Sequence, residues 1–442
     1  MSEVAGPQTN SKGYDPSTEV VELCRDLIRI DTSNYGDEDG PGERKAAELV
    51  AELLDEVGIS SNLYESEPGR TSLIARWGDG PGEPLLLHGH LDVVPAAAED
   101  WQVDPFAGEI MDGYLWGRGT VDMKDFDAMV LSTIRARARA GAEPNRPLVL
   151  CFTADEEAGG HKGAEYLIDH HADELADCTE AIGEVGGFTT TVRGKRIYLV
   201  EAAEKGMAWM KLTARGSAGH GSMINHDNAV TELAGAVARI GSHDWPVRLT
   251  PSMEVLLASV AQIAGTEATP ENAGALVEEF ESSARMLGAV IRNTTNPTML
   301  QAGYKVNVIP TEAAAYVDGR FLPGYEDEFF ATLADLCGEN VTWEFVSKQQ
   351  PWDSPYEGKI VDAMNQSILG EDPDGIVAPY LMSGGTDAKH FRKLGMQSYG
   401  FAPLKLPPDL DFGSLFHGVD ERVPVDALEF GARVFDRFLD LA

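Results

Sequence analysis

Apolar positions along this chain recur with two periods, and their alternation predicts the architecture. Residues 18–30 and 43–57 carry apolar side chains three and four apart, the spacing of amphipathic helices. Residues 73–77 (LIARW) read as a strand, closed by the turn GDGPGEP. Leu85-Leu86-Leu87 is a second apolar run and leads into His88 and His90. A loop rich in proline and aromatic residues follows (Trp101, Pro105, Phe106, Trp116). Residues 125–140 then read as a helix, and 147–153 as a buried strand that ends at Asp155-Glu156-Glu157. Strand, helix, strand in this order predicts an α/β fold with a mostly parallel sheet covered by helices. In open sheets of that kind ligands gather beyond the C-terminal ends of the strands. Both polar clusters fall there.

The texture changes near residue 205. Residues 209–214 alternate like a half-buried strand, GSAGHGS follows, and 227–240 have a helical period. Residues 304–309 and 313–318 read as adjacent strands, and 325–336 as a helix. This is the pattern of a smaller inserted α+β domain. Helix and strand signals return after about residue 351, ending in an amphipathic C-terminal helix whose aromatic residues are expected in the core. The expected division is 1–204 and 351–442 for the larger domain, with 205–350 inserted between them.

Composition narrows the class. The formal charge is -37, which argues against nucleic acid or an anionic membrane surface as a partner. It fits a salty milieu, or simply an acidic surface. The four cysteines (Cys24, Cys151, Cys178, Cys337) are scattered, with no CxxC pair, so a reduced, cytoplasmic setting is expected. Cys24 and Cys151 lie in apolar runs and read as core. No signal peptide is legible at the N-terminus, whose first roughly 15 residues are expected to be loose. No apolar run is long enough for a membrane span.

The chemistry lies in the acidic and imidazole residues. In an extended segment His90 and Asp92 point the same way, so one ring nitrogen can face a cation while Asp92 supports the other. Asp122 sits in GRGTVDMKD, where Gly117 and Gly119 permit tight turns. Its two oxygens suit bridging. Three consecutive acids at 155–157 behind an apolar strand repel one another unless they are neutralised. Glu184 and His417 can complete the set. Imidazole and carboxylate ligands without thiols suit zinc, with cobalt or manganese as substitutes. The competing reading for each residue alone is a packed histidine or a solvated turn acid.

Seven motifs carry a resemblance: GHLDVVP at 89–95, GRGTVDMK at 117–124, DEEAGG at 155–160, EVGG at 184–187, GHGS at 219–222, SGGTDAKHF at 383–391 and HGVDE at 417–421. In this order, across nearly the whole chain, they resemble the M20 family of metallopeptidases. That family includes glutamate carboxypeptidases, aminoacylases, succinyl-diaminopimelate desuccinylases and dipeptidases. The resemblance implies two divalent metal ions. His90, Asp122 and Glu184 would hold one, and Asp122, Glu157 and His417 the other. It implies Asp92 as the support of His90, Glu156 as general base, and a cis peptide after Asp122. Glu184, where some relatives have aspartate, implies the carboxypeptidase or desuccinylase side.

For the substrate, the resemblance implies a carboxylate clamp at Arg320, a contact from Asn307, and docking at the Gly384-Gly385-Thr386 backbone, with Asp387 anchoring that loop. The inserted domain becomes a lid and dimerisation domain, and His220 reaches the active site of a homodimer partner. The expected function is hydrolysis of an amide in a small carboxylate-bearing substrate, as a carboxypeptidase or dipeptidase. Hydrolysis of N-acyl or N-succinyl amino acids is the rival. A catalytically silent binding protein and phosphoester hydrolysis are remoter readings.

Overall fold

The computed structural model describes residues 13–36 and 40–442. The expectation of a loose N-terminus lies mainly on residues 1–12, outside those described. Tyr14, at its end, is tied down: its hydroxyl donates to Asp436 Oδ1 at 3.0 Å.

A ten-stranded sheet organises the larger domain. Its path runs Ser61–Glu67, Arg70–Trp77, Leu148–Thr153, Leu85–His90, Glu180–Gly183, Gln397–Gly400, Lys195–Glu204 and Trp352–Asp353, with Ile376–Met382 and Phe188–Val192 also paired to Lys195–Glu204. The centre is parallel: Leu85–His90 lies between Leu148–Thr153 and Glu180–Gly183 in parallel register, and Gln397–Gly400 runs parallel to Glu180–Gly183. The other pairings are antiparallel, except that Ile376–Met382 runs parallel to Lys195–Glu204. The sheet is therefore mixed, with the expected parallel strands at its centre. Short connections are the reason. Pro68-Gly69 and Arg193-Gly194 each join two strands through two residues, too few for a crossover, so those strands must reverse. Arg193 and Gly194 both have positive φ (48° and 75°), as a tight hairpin turn of right-handed strands requires.

Helices cover the sheet. The expected helices appear at Val20–Ile28, Arg44–Asp55, Lys124–Ala140 and Val425–Leu441. Lys124–Ala140 is buried on most of its circumference. Its first residue, Lys124, donates from Nζ to the carbonyls of Leu27 and Ile30, both at 3.0 Å. A buried cation thus meets carbonyl oxygens at and just beyond the end of Val20–Ile28. The C-terminal aromatics are core: Phe435 and Phe438 are fully buried, and Phe435 meets Phe126 edge-on at 5.6 Å. All four cysteines are buried and unpaired. Among the described residues no helix is long and apolar enough to cross a membrane.

The smaller domain is an antiparallel sheet in the order Thr294–Ala302, Glu312–Phe321, Gly206–Arg215, Val341–Gln349. Helices Ala229–Gly241 and Glu326–Cys337 close a separate core on it. Two readings change here. Residues 304–309 do not form a strand beside 313–318; only Val308–Ile309 is extended, and it pairs with Gly219–His220. Tyr304 and Val306 stand in solvent, so the apolar alternation there has no face to bury. The span 205–350 also feeds two cores. Helices Pro251–Ala264, Ala273–Glu278 and Ala284–Gly288 contribute Leu256, Leu276 and Leu287 to the core of the larger domain.

Candidate metal centre

The parallel centre of the sheet assembles the site. Leu85–His90 ends in His90, which lies opposite Thr153, two residues before Asp155. Glu180–Gly183, on the other side, ends one residue before Glu184. Three strands pointing the same way thus bring an imidazole and several carboxylates to one edge. Asp122 joins from the loop ahead of Lys124–Ala140, through a cis Asp122-Met123 peptide. His417 comes from a loop almost three hundred residues later, with φ 58°.

Asp122 faces both halves of the cluster. Its Oδ1 is 3.0 Å from His90 Nε2, and its Oδ2 is 3.2 Å from His417 Nε2. His90 Nε2 also lies 3.5 Å from Glu184 Oε2, and His417 Nε2 lies 3.1 Å from Glu157 Oε2. Donor atoms of His90, Glu156 and Glu184 lie within 4.8 Å of one another, as do those of His90, Asp122 and Glu157. The two groups form a candidate dinuclear metal site. The donor set is oxygen and imidazole nitrogen without sulfur, which fits hard or borderline divalent cations.

Electrostatics point the same way. Burial, then repulsion from Asp122, pushes Glu157 up to about 8. Burial likewise holds Glu184 well above the carboxylate range against the pull of His90. Glu156 is raised by burial, which Lys389 opposes with its Nζ 3.5 Å from Glu156 Oε1. Hydrogen bonds to Asp122 and Glu157 raise His417 to about 10. His90 is raised well above its ordinary value because Glu184, Asp122 and Asp92 outweigh its burial. Burial and crowding thus disfavour charge on Glu156, Glu157 and Glu184, and a cation among them would offset that penalty.

Asp92 does more than support His90. The ring Nδ1 is 3.0 Å from the Asp92 backbone carbonyl and 3.5 Å from its carboxylate. The carboxylate chiefly holds the acidic turn: it accepts from the backbone N–H of Glu156 and Glu157, each at 3.1 Å, and from Asn34 Nδ2 at 2.8 Å. Asn34 is in turn held by Arg70, which pairs with Glu43 at 2.5 Å. Asp155 adopts φ 67° and accepts from Asn34 and from Lys162 N. His88 is buried against Phe391, ring centroids 4.8 Å apart, and burial pushes it down to about 3. It is packing.

Sequence reasoning missed several of these partners. Glu421 is fully buried and accepts from the backbone N–H of Gly119 (3.1 Å), Val121 (2.7 Å) and Asp122 (3.3 Å), and from Arg118 Nη1 (2.6 Å). It ties the Asp122 loop to the His417 loop. Its only sequence signal was its place in HGVDE. Lys389 was visible in SGGTDAKHF, but nothing in the sequence placed it beside Glu156. Asn34, Arg70 and Glu43 carried no signal.

A cavity of about 250 Å³ opens beside the cage. Asp122, Glu156, Glu157, Glu184 and His417 line one side, and Ser383, Gly384, Gly385 and Thr386 another. His220, Asn307 and Arg320 are not among its lining residues. His220 and Asn307 are brought together on an exposed patch of the smaller domain, where Gly221 N donates to the Asn307 carbonyl at 2.9 Å. Arg320 grips Asp318 with two nitrogens (2.8 and 3.2 Å) and extends Nη1 to the Ser383 carbonyl at 3.4 Å. Thr386 gives its N–H and hydroxyl to Glu204. Asp387 is buried and accepts from Thr153 at 2.7 Å, an anchor for its loop.

Comparison with known proteins follows this geometry. Residues 86–441 match the model of peptidase family M20/M25/M40. The chain is similar to aminoacylase-1 of Sus scrofa, with 27% identity over 97% of this chain and 96% of that one. It is similar to N-fatty-acyl-amino acid synthase/hydrolase PM20D1 of Homo sapiens, with 30% identity over 78% of this chain and 72% of that one. Its fold matches the M20 family metallo-carboxypeptidase Sso-CP2 of Sulfolobus solfataricus with a TM-score of 0.70, covering 96% of this chain and 99% of that one at 19% identity.

Proposed function

The chain belongs to the M20/M25/M40 peptidase family, and from that premise we propose that it hydrolyses an amide bond in a small carboxylate-bearing substrate, a dipeptide or an N-acyl amino acid. The observation that carries this reading is Asp122, whose two oxygens face His90 and His417 while Glu156, Glu157 and Glu184 crowd the same space. His90, Asp122 and Glu184 are assigned to one divalent ion, and Asp122, Glu157 and His417 to the other, with zinc the first choice and cobalt or manganese as substitutes. When bound, such ions supply Lewis acidity and ease the ionisation of water.

The chain's own groups do the rest. Glu156 takes a proton from the attacking water and returns one to the leaving nitrogen. Its Oε1 sits 3.5 Å from Lys389, which stabilises the ionised form against burial. Asp92 orients His90 and holds the 156–157 turn. Arg320 and the 384–386 turn receive the substrate carboxylate. Arg320 is already paired with Asp318, so the carboxylate shares that guanidinium, and Thr386 N–H being spent on Glu204 leaves Gly384 and Gly385 as its backbone contacts. Asn307 adds a contact from the smaller domain. His220 donates to the developing oxyanion of a neighbouring subunit, a contribution of about 2.7–4 kcal/mol for one such donor. That role makes the smaller domain within residues 205–350 a lid and dimerisation domain between catalytic segments 1–204 and 351–442, the helices of 251–288 remaining with the larger core. Four unpaired cysteines favour a cytoplasmic setting.

The names of the two curated relatives favour the N-acyl amino acid reading over peptide cleavage. The test is a panel of dipeptides and of N-acetyl and N-succinyl amino acids, assayed with zinc, cobalt and manganese. Cleavage of the amide in some members supports the proposal. A metal-loaded protein inert toward the whole panel would leave a binding protein on this fold.

A further inference from the structure

One wall of the cavity beside the cage plays no part in that mechanism. It consists of Val185, Phe188, Met286, Tyr380, Met382 and Phe416, with Gly413 between them. The wall is built in advance. Phe188 lies 5.9 Å from the Tyr380 ring and 5.0 Å from Phe412, which lies 5.3 Å from Phe416, forming one run of aromatic contacts. The Tyr380 hydroxyl donates to the Val185 carbonyl at 2.8 Å, so only its ring is left for the wall. Met286 arrives from the helical segment that leaves the inserted span to join the larger core, and its Sδ lies 3.9 Å from where a Cβ on Gly413 would stand. Among the described lining residues there is no lysine or arginine, and Asp122, Glu156, Glu157, Glu184 and His417 line the same cavity.

We infer that this wall is a specificity subsite for an uncharged aliphatic or aromatic group next to the scissile amide, and that Met286 sets its reach. The inference rests on the hydrolase reading and narrows it. A carboxylate such as that of a succinyl group, set against Val185, Phe188, Met286, Tyr380, Met382 and Phe416, would lose its hydration with no donor on that wall to replace it. An apolar group instead covers apolar surface, and methionine adapts to irregular shapes. The volume of about 250 Å³ suits a group of modest size. Its source is either the acyl part or the amino-acid side chain of the substrate.

Two series separate the sources: N-acyl glycines from acetyl to octanoyl plus succinyl, and N-acetyl amino acids bearing Gly, Val, Leu, Phe or Glu. For the series that uses the subsite, kcat/KM rises roughly fourfold per methylene until the cavity is full. The charged member stays at or below the shortest one. Met286→Glu flattens the rise, and Met286→Leu keeps it. Length dependence in the first series assigns the acyl part, and in the second the side chain. A flat response in both, a preference for succinyl or Glu, or indifference to Met286→Glu overturns the inference while the hydrolase reading stands. If nothing is cleaved the hydrolase reading falls, and calorimetric binding of the same two series to wild type and Met286→Glu still decides the subsite by the same criteria.

Discussion

Neighbouring acids at residues 156 and 157 are given different work by what surrounds them. Glu157 reaches His417, whereas Glu156 has Lys389 beside it. Glu156→Ala is therefore expected to keep its metal and lose about 10²–10⁴-fold in kcat. His417→Ala should lower the bound metal per chain. Metal analysis beside single-turnover rates distinguishes the two, and full metal content in His417→Ala would remove that residue from the ligand set. Glu157 is raised from 4.5 to about 8 and His417 from 6.5 to about 10, so the folded chain keeps protons that the unfolded chain sheds. Each contributes stability that is full below its ordinary value and lost as pH climbs through its folded value. In chelator, Tm should fall from about pH 6 to about pH 8.5, and manganese should raise it more at the higher pH. An equal cation shift at both pH values would argue against these carboxylates as ligands.

At the scale of elements, strands deliver the ligands and glycines let the backbones approach. Gly186 follows Glu184 in EVGG, and a Cβ there would stand 1.9 Å from the Gly400 carbonyl and 2.7 Å from Glu201 N. Both are backbone atoms of neighbouring strands and have little room to move. Gly186→Ala should cost about 1–3 kcal/mol by overpacking, read as a lower Tm. Wild-type Tm in that variant would show that the strands separate easily. The same motif shows how far sequence carried. EVGG marked Glu184 through its resemblance, but the reason for its glycines appears only where the pairing of Gln397–Gly400 with Glu180–Gly183 brings the distant Gly400 alongside. The strands before His90 and Asp155 were legible because they are short apolar runs ended by polar clusters. The strand Ser61–Glu67 was not, because its burial is partial throughout. The helices between 251 and 291 went unread as part of the larger core, since their apolar faces name no partner.

Across the whole molecule, the exposed patch carrying His220 and Asn307 is separate from the cavity that holds Glu156. If each His220 serves a partner's site, His220→Ala and Glu156→Ala chains should each be nearly inactive alone and regain turnover when mixed and allowed to exchange subunits. A mixture no more active than its components, despite verified exchange, would place His220 outside the catalytic machinery. Arg320 spans the two domains through the Ser383 carbonyl, so the guanidinium proposed to dock substrate also makes a domain contact.

The order of motifs along the chain was enough, through the resemblance it carries, to point to a metal-dependent hydrolase and to an acidic and imidazole cluster. A motif is a local pattern of residue types, and recognising it needs no partner in space. Tertiary structure decided the rest, because it depends on contacts between distant segments. It placed both oxygens of Asp122 between two histidines and hung the acidic turn on Asp92 and Asn34. It locked the Asp122 loop to Glu421 and set an apolar wall against a carboxylate cage. A carboxylate reads the same in sequence whether it holds a cation, a backbone N–H or a proton, and only its neighbours in the fold choose among them.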